Sequence, residues 1–221
     1  MIVSPMRQEI DHRTIKLLVG LFAIFLANLT SFFAKTVITS ISASYYEGGW
    51  SQNIFVGFLF AISAFLLAYN GQFTREMLLS KIAAIAAFGI AMFPCKCGTH
   101  TEIIPYVHGT SAAIMFLILT CFCYIFFQRA RNKGHAQANV RSYIYAICGI
   151  TIVLSILIIA IDNFTGGIIS AKVARLTFYG ERAGLIAFGV SWLTASRVLP
   201  VITRSDERFS LFSDRNSTPA L

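Results

Sequence analysis

Residues 94–111, PCKCGTHTEIIPYVHGTS, break two long apolar runs and carry two of the five cysteines and two of the four histidines. Pro94 has no amide hydrogen and collides with the turn before it, so a helix arriving from the N-terminal side ends there. Pro105 suits the first turn of the next helix, where an amide would be unpaired in any case. The stretch therefore reads as a polar connection between two apolar helices, meeting water with reactive side chains in it. The same alternation of apolar run and short polar connection continues outward in both directions, which makes the fold class all-α: a polytopic membrane bundle.

Composition agrees. Hydrophobic residues form 56% of the chain and charged residues 13%, with a mean hydropathy of +0.69, whereas a soluble domain has about a quarter of its residues charged. A bilayer core needs about 20 apolar residues per helix, so the chain has room for about six spans. The runs that qualify are 14–34, 52–69, 77–93, 106–127, 142–161 and 178–199. Together they make a six-helix transmembrane domain over 14–199, with a polar leader at 1–13 and a flexible tail of mixed charge at 200–221. The first run follows positive charge, as a signal peptide would, but it is longer than the usual apolar stretch of one and is read as a retained helix. Within the third run, AAIAAFGIA at 83–91 is rich in small residues and belongs inside the bundle, where helices approach closely. Trp50, Tyr45 and Tyr46 suit the headgroup level.

Lys and Arg set the orientation. Arg7, Arg13 and Lys16 flank the N-terminus, Arg75 and Lys81 the second connection, and Arg129, Arg131, Lys133 and Arg141 the fourth. Arg197, Arg204, Arg208 and Arg215 follow at the C-terminal end. All lie on one side of a six-span chain, which predicts both termini in the cytoplasm. The formal net charge of +8 then serves topology and contact with anionic lipid headgroups. Membrane lipids are the expected partners. Nucleic acid is not, because the cations are dispersed over several connections instead of forming one face.

The cysteines offer little redox chemistry. Cys95 and Cys97 fall outside, where a disulfide is permitted, although one intervening residue closes a very tight ring. Cys121 and Cys123 lie about 20 Å deeper along the fourth helix and cannot reach them. With Cys148 they read as small packing residues.

A sharper signal is a layer of ionisable groups at the external ends of the later helices. His108 begins the fourth span with Ser111 one turn on, Asp162 ends the fifth, and Glu181 begins the sixth beside Arg182. Ionisable groups in spans are costly and face the bundle interior or a water-filled cavity. His108, Glu181, Asp162 and Ser111 are therefore the candidate catalytic residues. His108, Asp162 and Glu181, with His100 near them, are the candidate ligands should a metal be held; zinc with an open position suits such a set. The competing reading makes Glu181 an ion-pair partner of Arg182 or Lys172, Asp162 a helix cap and His108 the partner of a loop carbonyl. Gly184, one turn from Glu181, would let that helix pack closely with Glu181 turned toward His108. The cofactor, if any, is unknown.

The order SISASYY, GWSQNIFVGFLF, HGTSAAIMF and YGERAGLIAFGVSWL resembles a bacterial family of six-span membrane proteins of unknown function. Its layout is similar to that of the eukaryotic six-span proteins that include autophagy modulators and a GPI-anchor lipid-remodelling factor. The resemblance marks Ser42, His108, Ser111 and Glu181. More distantly, the placing of His, Ser and Asp near one face resembles seven-span membrane hydrolases such as alkaline ceramidases. Those hold zinc with an HxxxH pair on the last helix, where this chain has Glu181 and no histidine.

The expected function is a non-enzymatic lipid-handling or membrane-assembly factor. A lipid-active membrane hydrolase with a His and carboxylate site at the external face is the alternative, and a small transporter the second alternative.

Overall fold

The computed structural model describes residues 11–208, and all regular structure among them is helical. Six α-helices follow one another: α1 (His12–Phe32), α2 (Gly49–Ala68), α3 (Thr74–Met92), α4 (Val107–Arg131), α5 (Ala136–Phe164) and α6 (Leu176–Ser196). Each contains the greater part of one expected span. The helices α1, α2, α4 and α5 are each long and apolar enough to cross a membrane. In α3 the residues Arg75, Glu76 and Lys81, and in α6 Glu181 and Arg182, dilute the apolar character.

Two boundaries differ from expectation. The basic connection expected at 128–141 is mostly helix, because Arg129 and Arg131 lie in the last turn of α4 and Arg141 in α5. Cations near a helix C-terminus interact favourably with its dipole, so the arginines extend α4 instead of ending it. Pro105 lies just before α4, and Tyr106 takes a left-handed conformation (φ 67°) between the proline and the first helical residue.

Short connections make sequence neighbours antiparallel neighbours. Each helix packs on the next, and α6 returns to α1, closing a ring. At the α1–α6 seam a Cβ on Gly189 would lie 2.7 Å from the Gly20 carbonyl oxygen, an approach only glycine permits. The middle of the ring is filled: Trp192 is fully buried, with ring centroids 5.3 Å from Tyr69 and Phe188 and 5.4 Å from Phe122. The outer face is apolar, as Ile147, Ile150, Leu154 and Leu157 along α5 show by their exposure. Ala83, Ala84, Ala86 and Ala87 of the small-residue run are buried, as expected.

The bundle has two unlike ends. One carries the connections 33–48, 93–106 and 165–175 and is called here the disulfide end, because Cys95 and Cys97 are bonded there. The other carries the connections 69–73 and 132–135 and the segment after α6. At this termini end the described part of the segment after α6 folds back on the bundle. Glu207 accepts from Lys133, from Arg141 at 2.9 Å and from Arg197 at 2.6 Å, so residues up to Glu207 are tied to the bundle. Arg197 is held in a left-handed conformation (φ 65°) that aims it there, a backbone state costing a non-glycine residue about 1 kcal/mol or more. Residues 1–10 of the leader and 209–221 of the tail lie outside the described residues.

Candidate functional site

The site at the disulfide end is assembled by three elements that each leave a polar group to be satisfied. Where Pro94 ends α3, the carbonyl of Phe93 has no helical amide to accept from. His108, in the first turn of α4, fills that gap with Nδ1 at 2.8 Å. A carbonyl oxygen only accepts, so Nδ1 carries the hydrogen and Nε2 is left to face the interior. There it meets Ser42 Oγ at 3.0 Å. Ser42 begins a 3-10 turn (Ser42–Tyr46), and its hydroxyl also contacts Glu181 Oε1 at 3.2 Å. The other oxygen of Glu181 accepts the Ile41 amide at 2.5 Å.

One hydroxyl hydrogen therefore stands between two partners. If Ser42 donates to Nε2, the oxygen of Ser42 is free to accept only from a protonated Glu181. If Ser42 donates to the Glu181 carboxylate, Nε2 must be protonated and donate to Ser42. Both arrangements hold the same number of protons and differ by moving two hydrogens along the chain Glu181, Ser42, His108. The trio thus shares one proton beyond those of Nδ1 and the hydroxyl.

The connection carrying Ser42 is stitched along the start of α6. Arg175 donates through Nε to the Ile38 carbonyl at 2.8 Å, and the Phe178 amide donates to the Thr39 carbonyl at 3.0 Å. Glu47 closes the loop on itself, accepting the Lys35 amide at 2.7 Å together with the Thr36 amide and hydroxyl. The Thr36 hydroxyl bond holds the Glu47 carboxyl below its ordinary range. The polar stretch 94–100 lies against the same turn. Tyr46 donates to the Cys95 carbonyl at 2.9 Å, Ser40 Oγ lies 3.5 Å from Cys97 Sγ, and His100 stacks on Tyr46 with centroids 3.8 Å apart.

Of the four candidate catalytic residues, the structure brings His108 and Glu181 together, through Ser42. The glycine beside Glu181 acts as expected: a Cβ on Gly184 would stand 2.7 Å from the Phe116 ring, so α6 closes on α4 there. Asp162 does not join. Its Oδ1 accepts the amides of Ile169 at 2.8 Å and Ser170 at 2.9 Å, fastening the connection after α5. These amides lie only seven and eight residues along the chain, so the connection itself satisfies the carboxylate. Ser111 does not join either, since it packs on α3 where a Cβ on Gly89 would stand 2.6 Å from its hydroxyl. His100 is engaged by Tyr46, and Arg182 donates to Asn28 at 2.7 Å across the α1–α6 seam instead of to Glu181.

The expected set His108, Asp162 and Glu181 is thereby separated. Among the described residues no three of His, Cys, Asp and Glu gather as metal ligands. Cys123 and Cys148 are buried and Cys121 is exposed, all three as free thiols. The resemblance marked the position of Ser42 without giving it a role, and its bridging of His108 and Glu181 was missed, because no local pattern shows a serine 66 residues from one partner and 139 from the other. Comparison with family models, with curated proteins and with solved structures finds no match to this chain.

Proposed function

We propose that this integral membrane protein crosses the bacterial inner membrane six times with both termini in the cytoplasm. We further propose that it handles lipid or assists membrane assembly without catalysing a reaction, and that Ser42, His108 and Glu181 latch its external connection onto the bundle. The observation that carries the latch is mutual satisfaction in a buried place. Ser42 and His108 are 8% and 6% exposed, and each of their polar side-chain atoms is already partnered within the protein. The orientation is supported by two independent features: the disulfide lies at one end, and the cations of 129–141 and 197–204 lie at the other.

For the latch, Ser42→Ala and His108→Ala should lower thermal stability in detergent and open residues 33–48 to protease added from outside. Unchanged stability with unchanged protection would rule it out. For the topology, Cys95 and Cys97 should react with an impermeant maleimide in intact cells only after an impermeant reductant is added. A cysteine introduced at Lys133 should stay unlabelled.

One observation favours the second reading, a lipid-active hydrolase. His108 Nε2 at 3.0 Å from Ser42 Oγ, with Nδ1 fixed by the Phe93 carbonyl, is the relation of a general base to a hydroxyl nucleophile. A fluorophosphonate probe that labels wild type but not Ser42→Ala would replace the latch reading with this one. A transporter would need a path through the layer around Trp192, where the aromatic rings are packed together.

A further inference from the structure

The termini end holds a cavity of about 340 Å³ that none of the readings above uses. Lys16, one turn into α1, lines it although only 8% exposed. Its ammonium stands 5.5 Å from the centre of the Tyr69 ring and 5.1 Å from that of Phe126. No carboxylate, carbonyl or hydroxyl of the described residues accepts a hydrogen from it. An ammonium with three donors, two ring faces beside it and its head toward a cavity with apolar walls is stabilised by an anion that enters there.

Among the described residues, the charge around Lys16 has a surplus of one sign. Arg13, Arg129, Lys133, Arg141 and Arg197 line the same cavity. Arg129 is offset by Glu76, which is 1% exposed, and Asp206 on the rim is offset by Arg204. That leaves Glu207 and Asp11 facing Arg13, Lys16, Lys133, Arg141 and Arg197. The Glu207 carboxylate already takes three of these cations, and Arg13 is left to bond the Glu207 carbonyl at 3.3 Å. The apolar walls formed by Tyr69, Phe126 and Tyr145 lower the local dielectric and strengthen the field of the surplus.

The shape and charge of this surplus select among anions. A second carboxylate would neutralise one charge through one plane. A phosphate monoester carries about −1.5 to −2 near neutral pH with three acceptor oxygens, which matches guanidinium forks and an ammonium converging from different helices. The cavity is a pocket between helix ends and not an extended basic face, which excludes a nucleic-acid strand.

We infer that this cavity binds a phosphate-monoester anion, either the headgroup of a membrane lipid or a soluble phosphate ester, with Lys16 at its floor and arginines at its rim. Glu207 is the resident carboxylate of the site, so the incoming phosphate competes with it for Arg141, Arg197 and Lys133. The inference stands on the cavity alone and is independent of whether the Ser42 cluster is a latch or a catalytic site.

The full chain in detergent, immobilised, is titrated with radiolabelled dioleoyl phosphatidic acid and glycerol 3-phosphate, with dioleoyl phosphatidylcholine as the zwitterionic control. Wild type should retain at least one of the phosphomonoesters well above the control, and inorganic phosphate should compete. Lys16→Met, which keeps the apolar stem, should weaken retention about tenfold, the equivalent of one charge-assisted hydrogen bond. Glu207→Gln should strengthen it. Binding of both esters assigns the soluble source, and binding of the lipid alone assigns the headgroup; either supports the site. Retention no better than the control, or equal in wild type and Lys16→Met, overturns it. If Lys16→Met loses its helical circular dichroism, Arg13→Gln at the half-buried rim takes its place, and unchanged retention there overturns the inference equally.

Discussion

The two ends of the bundle treat polar groups in opposite ways. At the disulfide end, Ser42, His108, Glu181 and the backbone of Ile41 and Phe93 form a closed set in which donors and acceptors match. At the termini end, cations among the described residues outnumber their counterions around a cavity, and of those residues only ring faces meet the Lys16 ammonium. The difference teaches that buried polarity by itself says little about function. A matched set holds chain segments together, while a surplus of one sign waits for something from outside.

The largest effect should come from breaking the matched set. Glu181→Ala leaves the Ile41 amide without its acceptor and takes from the Ser42 hydroxyl one of its two partners, at about 1–3 kcal/mol for each buried group left short. Glu181→Gln keeps an acceptor for Ile41 and a donor for Ser42, so most of the loss should be recovered. Thermal unfolding of the two variants in one detergent measures the contrast, and equal losses would mean that charge and not matching holds this end together.

A smaller loss is expected at the other end. Truncation after Thr203 removes Glu207 and its ties to Arg141 and Arg197, each a hydrogen bond to a charged group worth about 1.5–3 kcal/mol before screening by water. Relief of repulsion does not follow, because the cations are then left facing one another. Truncation after Arg208 keeps Glu207 and is the reference against which the shorter chain is compared. Equal melting temperatures for the two truncations would show that Glu207 contributes nothing.

The pH dependence sharpens the same comparison. Although burial pushes the Glu207 carboxyl up, hydrogen bonds from Lys133 and Arg197 and the charges of Arg197 and Arg141 hold it well below its ordinary value of 4.5. A depressed folded value means that its stabilisation is complete above the unfolded value and is lost as pH falls below it. The measurement runs between pH 5 and 3, across the unfolded range of a glutamate. The difference in melting temperature between wild type and Glu207→Gln should narrow across that range. A difference that widens on acidification would reverse the assignment.

The smallest effect belongs to Arg204 and Asp206. They are paired at 3.2 Å, but their side chains are 50% and 64% exposed. Arg204→Ala should change stability by less than about 1 kcal/mol, and a larger change would mean that the rim of the cavity is more rigid than the exposure implies.

By itself the sequence determined the class of the protein and the course of the helices. Apolar run length, Pro94 and the small residues of 83–91 act locally, through backbone hydrogen bonding and side-chain volume, so their consequences are legible without the fold. It also placed His108 and Glu181 in one layer, because both lie near the start of their helices. Only the tertiary structure decided that Ser42 joins them and that Asp162 and Ser111 do not, since a side chain's partner depends on which chain segment returns to it, and loop 33–48 returns to α6. The cavity was hidden for the same reason. Lys16 stands out as a cation in an apolar run, yet its meaning depends on Arg141 and Arg197 arriving from other helices and on Glu207 folding back among them. The extension of α4 and α5 through the arginines escaped a reading that equates charge with a loop, whereas a helix end accepts cations readily and leaves the chain free to continue.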